Sequence, residues 1–303
     1  DMEMKNWLEN DINKEIERIQ TFICNFVLDG EAVVVPVSGG LDSDVVARLC
    51  CRSLGSSRVK AFIVIQSDME PKFLKNAKNL CGELGIPLAE IHLENMNQDL
   101  MKALEKSESK TIFNTDMMLD PAKAKCSVRS AVISCYQDKG FLIAGTTNRT
   151  EKELGFFLTF GDNLAHFKPV AHLYKSELEK IAAVLGTKKE VIDQEPSAGF
   201  WSGQTDLEDI AYWIVNDGPI VIPREFSEQE IIKAENIRNA LDYKKIDCIL
   251  ELISSGEPIE GIREKTDVSA EIISGLYHIV KKAKRLKTRE IMEELPLHAV
   301  GGM

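Results

Sequence analysis

The apolar positions near the start of the chain fall three and four residues apart: Trp7, Leu8, Ile12, Ile16, Ile19, Ile23, Phe26 and Val27. That spacing predicts a helix over about 5–28 that buries one face. The pattern then switches to Ala32-Val33-Val34-Val35-Pro36-Val37, a short β-branched run without a charge, as expected of a strand covered on both faces of a parallel sheet. Ser38-Gly39-Gly40 interrupts the run, and helical spacing resumes from Asp42 to Gly55. The alternation continues, with strands predicted at 61–65, 88–93 and 141–144 and helices at 70–84, 121–138 and 174–185. Strands alternating with helices predict an α/β protein built on a doubly wound parallel sheet. An extended stretch at 219–223 precedes helical patterns from Ser227 to about Leu286, which predict a helical C-terminal extension. The expected division is a catalytic domain over 1–210, then an insertion and helical subdomain over 211–303.

Composition narrows the ligand more than the fold. Across 303 residues, 37 Lys+Arg stand against 48 Asp+Glu, a formal net charge of -11. A broad nucleic-acid surface is disfavoured, and any phosphate-bearing ligand must be met where cations gather locally. The seven cysteines include no C-x-x-C pair, so neither a zinc ribbon nor a disulfide framework is expected, and most of them read as small buried hydrophobes. The five histidines show no metal-ligand spacing. With neither a signal-peptide pattern nor an apolar run long enough to span a bilayer, the expected compartment is the cytoplasm and no membrane partner is expected.

In such sheets ligands bind beyond the carboxyl ends of the strands, which directs attention to the turns at Ser38 and Gly145. Val37-Ser38-Gly39-Gly40-Leu41-Asp42-Ser43 follows a buried strand and opens a helix. Two glycines admit close backbone approach, Ser38 and Ser43 can donate to phosphate oxygens, and a helix N-terminus adds partial positive charge. Asp42 opposes a bare anion but suits one bridged by a divalent cation. A plain Gly-Gly turn, with Asp42 or Ser43 as helix cap, accounts for the same spacing. The loop is not a Walker A loop, because no Gly-Lys-Ser/Thr follows.

Ser-Gly-Gly-Leu-Asp-Ser resembles the pyrophosphate loop of the ATP pyrophosphatases. Gly145-Thr146-Thr147-Asn148-Arg149-Thr150-Glu151, Phe157-Leu158-Thr159-Phe160-Gly161-Asp162, Pro169-Val170-Ala171-His172-Leu173-Tyr174-Lys175 and the run from Pro196 to Asp206 resemble, in order and spacing, the NAD synthetase family within that group. The resemblance spans about residues 10–210. It implies an adenine nucleotide α-hydrolase-like fold and an ATP-dependent, amide-forming ligase: the nicotinate carboxylate of deamido-NAD is adenylated, and ammonia displaces AMP. It assigns ATP to Ser38, Gly39, Gly40, Asp42, Ser43, Thr146 and Lys175, and Mg²⁺ to Asp42 and Glu151. Asp162, Lys175 and Ser197 are its candidate catalytic residues. It also implies a homodimer, with nitrogen from free ammonia or a separate glutaminase.

Two departures fall on the side of the acid substrate. The family's Gly-Gly-x-Asp after Asp162 is here Asn163-Leu164-Ala165-His166, and its Ala-Arg-x-Arg-Met is altered to Ala124-Lys125-Cys126-Ser127-Val128-Arg129. Lys125, Arg129 and His166 are therefore the candidates facing the acid, which is deamido-NAD or a different small carboxylate amidated by a related ligase. A tRNA-modifying thiolase of the same loop class would require catalytic cysteine pairs and a basic surface, which this chain lacks. A non-catalytic nucleotide- or DNA-binding protein would use the segment 259–289, which reads as a helix-turn-helix followed by a basic stripe; a solvated helix end explains the same cations.

Overall fold

The computed structural model describes residues 11–65, 69–93, 96–107, 121–157, 161–197, 203, 205–220 and 224–290. The first half alternates helix and strand: α1 (Ile12–Phe26), β1 (Ala32–Pro36), α2 (Leu41–Leu54), β2 (Val59–Ile65), α3 (Pro71–Leu84), β3 (Leu88–His92), α4 (Met96–Ser107), α5 (Pro121–Asp138) and β4 (Phe141–Ile143). After β4 come only helices among the described residues: α6 (Arg149–Leu154), α7 (Lys175–Leu185), α8 (Lys189–Ile192), α9 (Asp206–Val215), α10 (Glu228–Ala240), α11 (Tyr243–Ser254), α12 (Ile259–Thr266) and α13 (Ala270–Glu290).

The strands are all parallel, in the order β3-β2-β1-β4. From β1 the chain winds outward through β2 and β3, then returns to the other side of β1 as β4. The order therefore reverses between β1 and β4, and the crevice at their carboxyl ends is where such a sheet binds ligands. The uniformly apolar β1 run is explained by its two covered faces. Val33 and Val35 enter one core with Ile16, Ile19 and Ile23 of α1, Val45 and Leu49 of α2, and Leu178 and Ile181 of α7. Val34 faces the opposite way, with Phe62, Val64, Ile143 and Ile133 of α5.

A third core joins Leu154 and Tyr174 to Ile210 and Ile214 of α9, Ile246, Ile249 and Leu250 of α11, and Ile272, Ile273, Leu276 and Ile279 of α13. Its contacts are close: a Cβ on Gly275 of α13 would lie 2.6 Å from Ile214 Cγ2. The segment that the helix-turn-helix alternative would use folds as two packed helices, α12 and α13, joined through Asp267 in the left-handed region at φ 53°.

Two sequence expectations change. Of the cysteines, Cys50 and Cys81 are buried, but Cys24 and Cys135 are exposed and Cys51 and Cys248 are half-buried. Cys24 follows Ile23 by one residue, so it lies about 100° round α1 from the inward face. The extended stretch at 219–223 forms no strand at 219–220, and 221–223 lie outside the described residues.

Candidate active site

The loop after β1 is braced by its own side chains. Ser38 N–H donates to Ser43 Oγ at 3.1 Å, Ser43 Oγ donates to the Gly40 carbonyl at 3.1 Å, and Gly40 N–H donates to Ser38 Oγ at 3.3 Å. Ser43 is buried and acts inside this bracket, whereas Ser38 is exposed. The two glycines differ. Gly39 has φ +78°, and a Cβ there would lie 2.1 Å from the Phe73 carbonyl oxygen of α3; Gly40 has extended backbone at φ −98° and caps α2. The first turn of α2 carries Asp42 and Asp44. Asp44 turns away into a buried pair with Arg48 at 2.6 Å and accepts from Thr187 Oγ1 at 2.6 Å. Asp42 stays at the mouth of the crevice.

The turn after β4 supplies the other wall. Gly145 N–H donates to the Phe167 carbonyl at 2.8 Å, and a Cβ on Gly145 would meet Ala165 Cβ at 2.7 Å. Thr146 is half-buried just beyond it. Asn148 then caps α6 in a reciprocal box: its Oδ1 accepts from Glu151 N–H at 2.9 Å, and its own N–H donates to Glu151 Oε2 at 3.2 Å. That box fixes the orientation of the Asn148 amide, whose Nδ2 donates to Asp42 Oδ1 at 2.8 Å. Asn148 thereby couples the two turns.

Lys175, the first residue of α7, completes the cluster, its Nζ donating to Asp42 Oδ2. Its side chain is 5% exposed. Burial alone would pull the ammonium down, but Asp42 and Glu151, with Asp206 behind them, hold it above its ordinary range. Burial, and then the Asp42 charge, push Glu151 well above the usual carboxylate range, opposed by Lys175. Three carboxylate charges thus act on this one ammonium. Tyr243 of α11 stands by the same charges, and burial followed by Asp206 and Glu151 keeps its phenol protonated well beyond the usual range.

The donor set fits Mg²⁺: Asp42 and Glu151 offer hard carboxylate oxygens and one formal negative charge more than the lysine offsets. Among the described residues no group of three His, Cys, Asp or Glu forms a ready cage. Mg²⁺ is commonly held by one or two carboxylates and the substrate's phosphates, so a partial protein site suits it.

The structure therefore brings together Ser38, Gly39, Gly40, Asp42, Ser43, Glu151 and Lys175. Asn76 Nδ2 donates both to the Gly39 carbonyl at 3.1 Å and to Gln194 Oε1 at 3.0 Å. This ties the loop to the half-buried Ser197 segment, whose Pro196 carbonyl accepts from Asp206 N–H at 3.0 Å. Asp162 is exposed on the turn at 161–163. His166 lies alongside the end of β4, with its N–H on the Ile143 carbonyl at 3.0 Å and its Nδ1 accepting from Ile143 N–H at 2.8 Å. Arg129 is half-buried on α5, which packs on β4; Lys125 lies in the same helix, and its side chain is outside those described. The histidines expected not to bind metal include His172, paired with buried Glu15, and His278, paired with Asp217.

Cations gather elsewhere on this acidic chain. A cleft of about 580 Å³ between α1 and the 168–172 segment is lined by Arg18, Arg149, Lys152, Lys168 and Glu153, with Phe22 on its apolar side; Arg18 pairs with Glu15 and Arg149 with Glu153.

Asp247 of α11, fully buried, reaches the site from behind: Oδ1 accepts from Thr150 Oγ1 at 2.6 Å and Oδ2 from Ser176 N–H at 2.9 Å. Burial pushes its carboxyl up to about 6, against the hydrogen bonds that favour the charge. A raised folded-state value means the folded chain holds the proton longer, so this group's destabilising contribution grows as pH rises from about 4 to about 6. Relative to Asp247→Asn, the parent protein is therefore expected to lose about 3 kcal/mol over that interval and to change little above it. Urea denaturation of both proteins from pH 4 to 7 checks this; a constant difference would contradict it.

The sequence model of the NAD synthase family matches residues 15–241. An NH3-dependent NAD+ synthetase of Methanocaldococcus jannaschii is 29% identical over 276 residues, which cover 90% of this chain and 93% of the relative. Among solved structures, an NH3-dependent NAD synthetase from Campylobacter jejuni in complex with nitrate superposes with a TM-score of 0.65 at 23% identity, covering 94% of this chain and 99% of that one. An NMN synthetase from Francisella tularensis gives the same TM-score at 21% identity, covering 98% and 99%. These two likenesses establish the shared fold.

Proposed function

The chain belongs to the NAD synthase family, and from that membership we propose that it is an ATP-dependent amide-forming ligase, an NH3-dependent NAD synthetase releasing AMP and pyrophosphate. The acid is the nicotinate carboxylate of deamido-NAD. The observation that carries the reading is the cluster at the switch point, with Lys175 buried against Asp42 and Glu151 directly beyond the glycine-serine loop.

A carboxylate is a poor acyl donor, so amide formation needs a leaving group. The acid attacks the α-phosphorus of ATP, and ammonia then displaces AMP. The loop N–H groups and the start of α2 receive phosphate oxygens. Mg²⁺, held by Asp42 and Glu151, would neutralise the pyrophosphate as it departs. Lys175 is kept charged in a buried setting, where a fixed cation acts on developing phosphate charge with little solvent screening. Asn148 keeps the two carboxylates in register, its side-chain amide on Asp42 and its backbone N–H on Glu151 Oε2. To Ser197, on the segment tied to Gly39 through Asn76, we assign the role of covering the reacting centre, and to Asp162 that of assisting ammonia.

One observation favours a second reading, amidation of a different small carboxylate. Where the family carries Gly-Gly-x-Asp, this chain has His166, its ring Nδ1 taken up by the Ile143 N–H, so an imidazole replaces a carboxylate at a position that the resemblance puts on the acid side.

Purified protein supplied with Mg-ATP, ammonium and deamido-NAD should form AMP and NAD in equal amounts, and EDTA should stop both. AMP formed only with another acid, such as nicotinate mononucleotide, selects the second reading. No AMP with any carboxylate rejects the ligase.

A further inference from the structure

Helix α7 caps its own start only in part: Glu177 Oε2 accepts from Tyr174 N–H at 2.8 Å, which leaves the N–H groups of Lys175 and Ser176 to find acceptors elsewhere. A helix start leaves its first N–H groups without intrahelical partners, and the residue before Lys175 is Tyr174, whose side chain makes no cap hydrogen bond. The missing acceptors come from two other helices. Lys175 N–H donates to Thr150 Oγ1 at 2.9 Å, and Ser176 N–H to Asp247 Oδ2 at 2.9 Å; Thr150 Oγ1 in turn donates to Asp247 Oδ1 at 2.6 Å. All four residues are buried.

We infer that Asp247 is a positioning residue for ATP cleavage: through Thr150 and the start of α7 it sets Lys175 and Glu151 against the phosphates and makes the C-terminal helices part of the active centre. The inference rests on the ligase reading. Thr150 is the immediate neighbour of Glu151, so one hydroxyl fixes both the acidic helix α6 and the backbone of the catalytic lysine. Asp247 is 97 residues from Thr150 and 71 from Ser176, so the contact exists only when α11 is docked on α6 and α7. The surrounding charges that Asp247 meets are Glu177 of α7 and, through Tyr243, the Asp42, Glu151 and Asp206 group. A full negative charge at this depth is costly unless it is hydrogen-bonded, and here every bond it accepts lies on the scaffold of the site.

The test is a double-mutant cycle of Asp247→Asn and Thr150→Val, with Thr150→Ser as the conservative control, read by AMP formation and by thermal melting. Displacing a catalytic group by a fraction of an ångström to one ångström costs roughly ten- to a hundredfold in rate. Each single variant is expected to lower kcat by about tenfold or more, with the KM for ATP changed less than about threefold because the loop after β1 still binds the nucleotide. The double variant should be no slower than the slower single, and Thr150→Ser should restore kcat. If Asp247→Asn does not fold, the valine and serine variants carry the test. A lowered melting temperature with kcat within twofold of the parent in each folded variant, or losses that multiply in the double variant, would overturn the inference while leaving the ligase standing. Absence of AMP from the unaltered protein would overturn both.

Discussion

Lys175→Met is expected to remove AMP formation and stability together, and a second substitution should return only the stability. The lysine sits against Asp42, with the Glu151 and Asp206 charges acting on it as well, and deleting one partner of a buried ion pair costs about 3–5 kcal/mol because the other charge is left uncompensated. Methionine fills similar volume, so the loss reflects charge rather than a cavity. Asp42→Asn in the same chain removes the orphaned carboxylate, and its amide can still meet Asn148. The double variant should therefore recover most of the melting temperature. Turnover should not follow. A preorganised cation aimed at developing negative charge contributes about 10²–10³-fold to rate, and the double variant has lost both the cation and a carboxylate proposed to hold Mg²⁺. Calorimetry and AMP release measured on the same preparations separate the two effects. A Lys175→Met protein retaining a tenth of the parent rate would show that the pair is structural and remove the lysine from the proposed chemistry.

What could be read from the chain before folding was what lies contiguous in it. The strand-loop-helix around Ser38 to Ser43 is local, and each part follows from residue type: a two-sided apolar run, glycines, then a helix start. The parallel sheet was legible because β1 and β2 are apolar on both faces. Helix α6 was not, since six residues are too short for a hydrophobic period; its mark in the sequence is the capping pair Asn148 and Glu151 at the N-x-x-E spacing. Asn148, Asp206, Tyr243 and Asp247 escaped for another reason. Their significance lies in contacts such as Asn148 with Asp42 across 106 residues and Asp247 with Thr150 across 97. A buried asparagine or aspartate in sequence is an unpaired liability; only the fold supplies the partners that turn it into a bridge between turns. Family resemblance supplied roles for Asp42, Glu151 and Lys175, and the geometry adds that the three share one electrostatic cluster.

Gly39→Ala and Gly40→Ala, alike in sequence terms, are expected to fail in opposite ways. At Gly39 the new methyl would lie 2.1 Å from the Phe73 carbonyl oxygen and 2.6 Å from its carbon, both backbone atoms at the start of α3, and φ is +78°. No rotamer relieves such a clash, so either the loop or α3 must move by about an ångström. Strained backbone of this kind costs about 1–3 kcal/mol before any contact is counted, and a loop shift of that size costs roughly a hundredfold in rate. Gly39→Ala should thus lower both the melting temperature and AMP formation. At Gly40 the methyl would meet Ser38 Oγ at 3.4 Å with φ −98°, which is ordinary contact on ordinary backbone. The fold has no need of glycine there, and Gly40→Ala should cost less than about 1 kcal/mol. Its effect belongs to the ligand: if a phosphate rests against the backbone ahead of α2, the methyl stands where the oxygens go, and the KM for ATP should rise tenfold or more at an unchanged melting temperature. A Gly40→Ala protein with normal ATP kinetics would move the phosphates off this loop and return the two glycines to the role of a tight turn against α3.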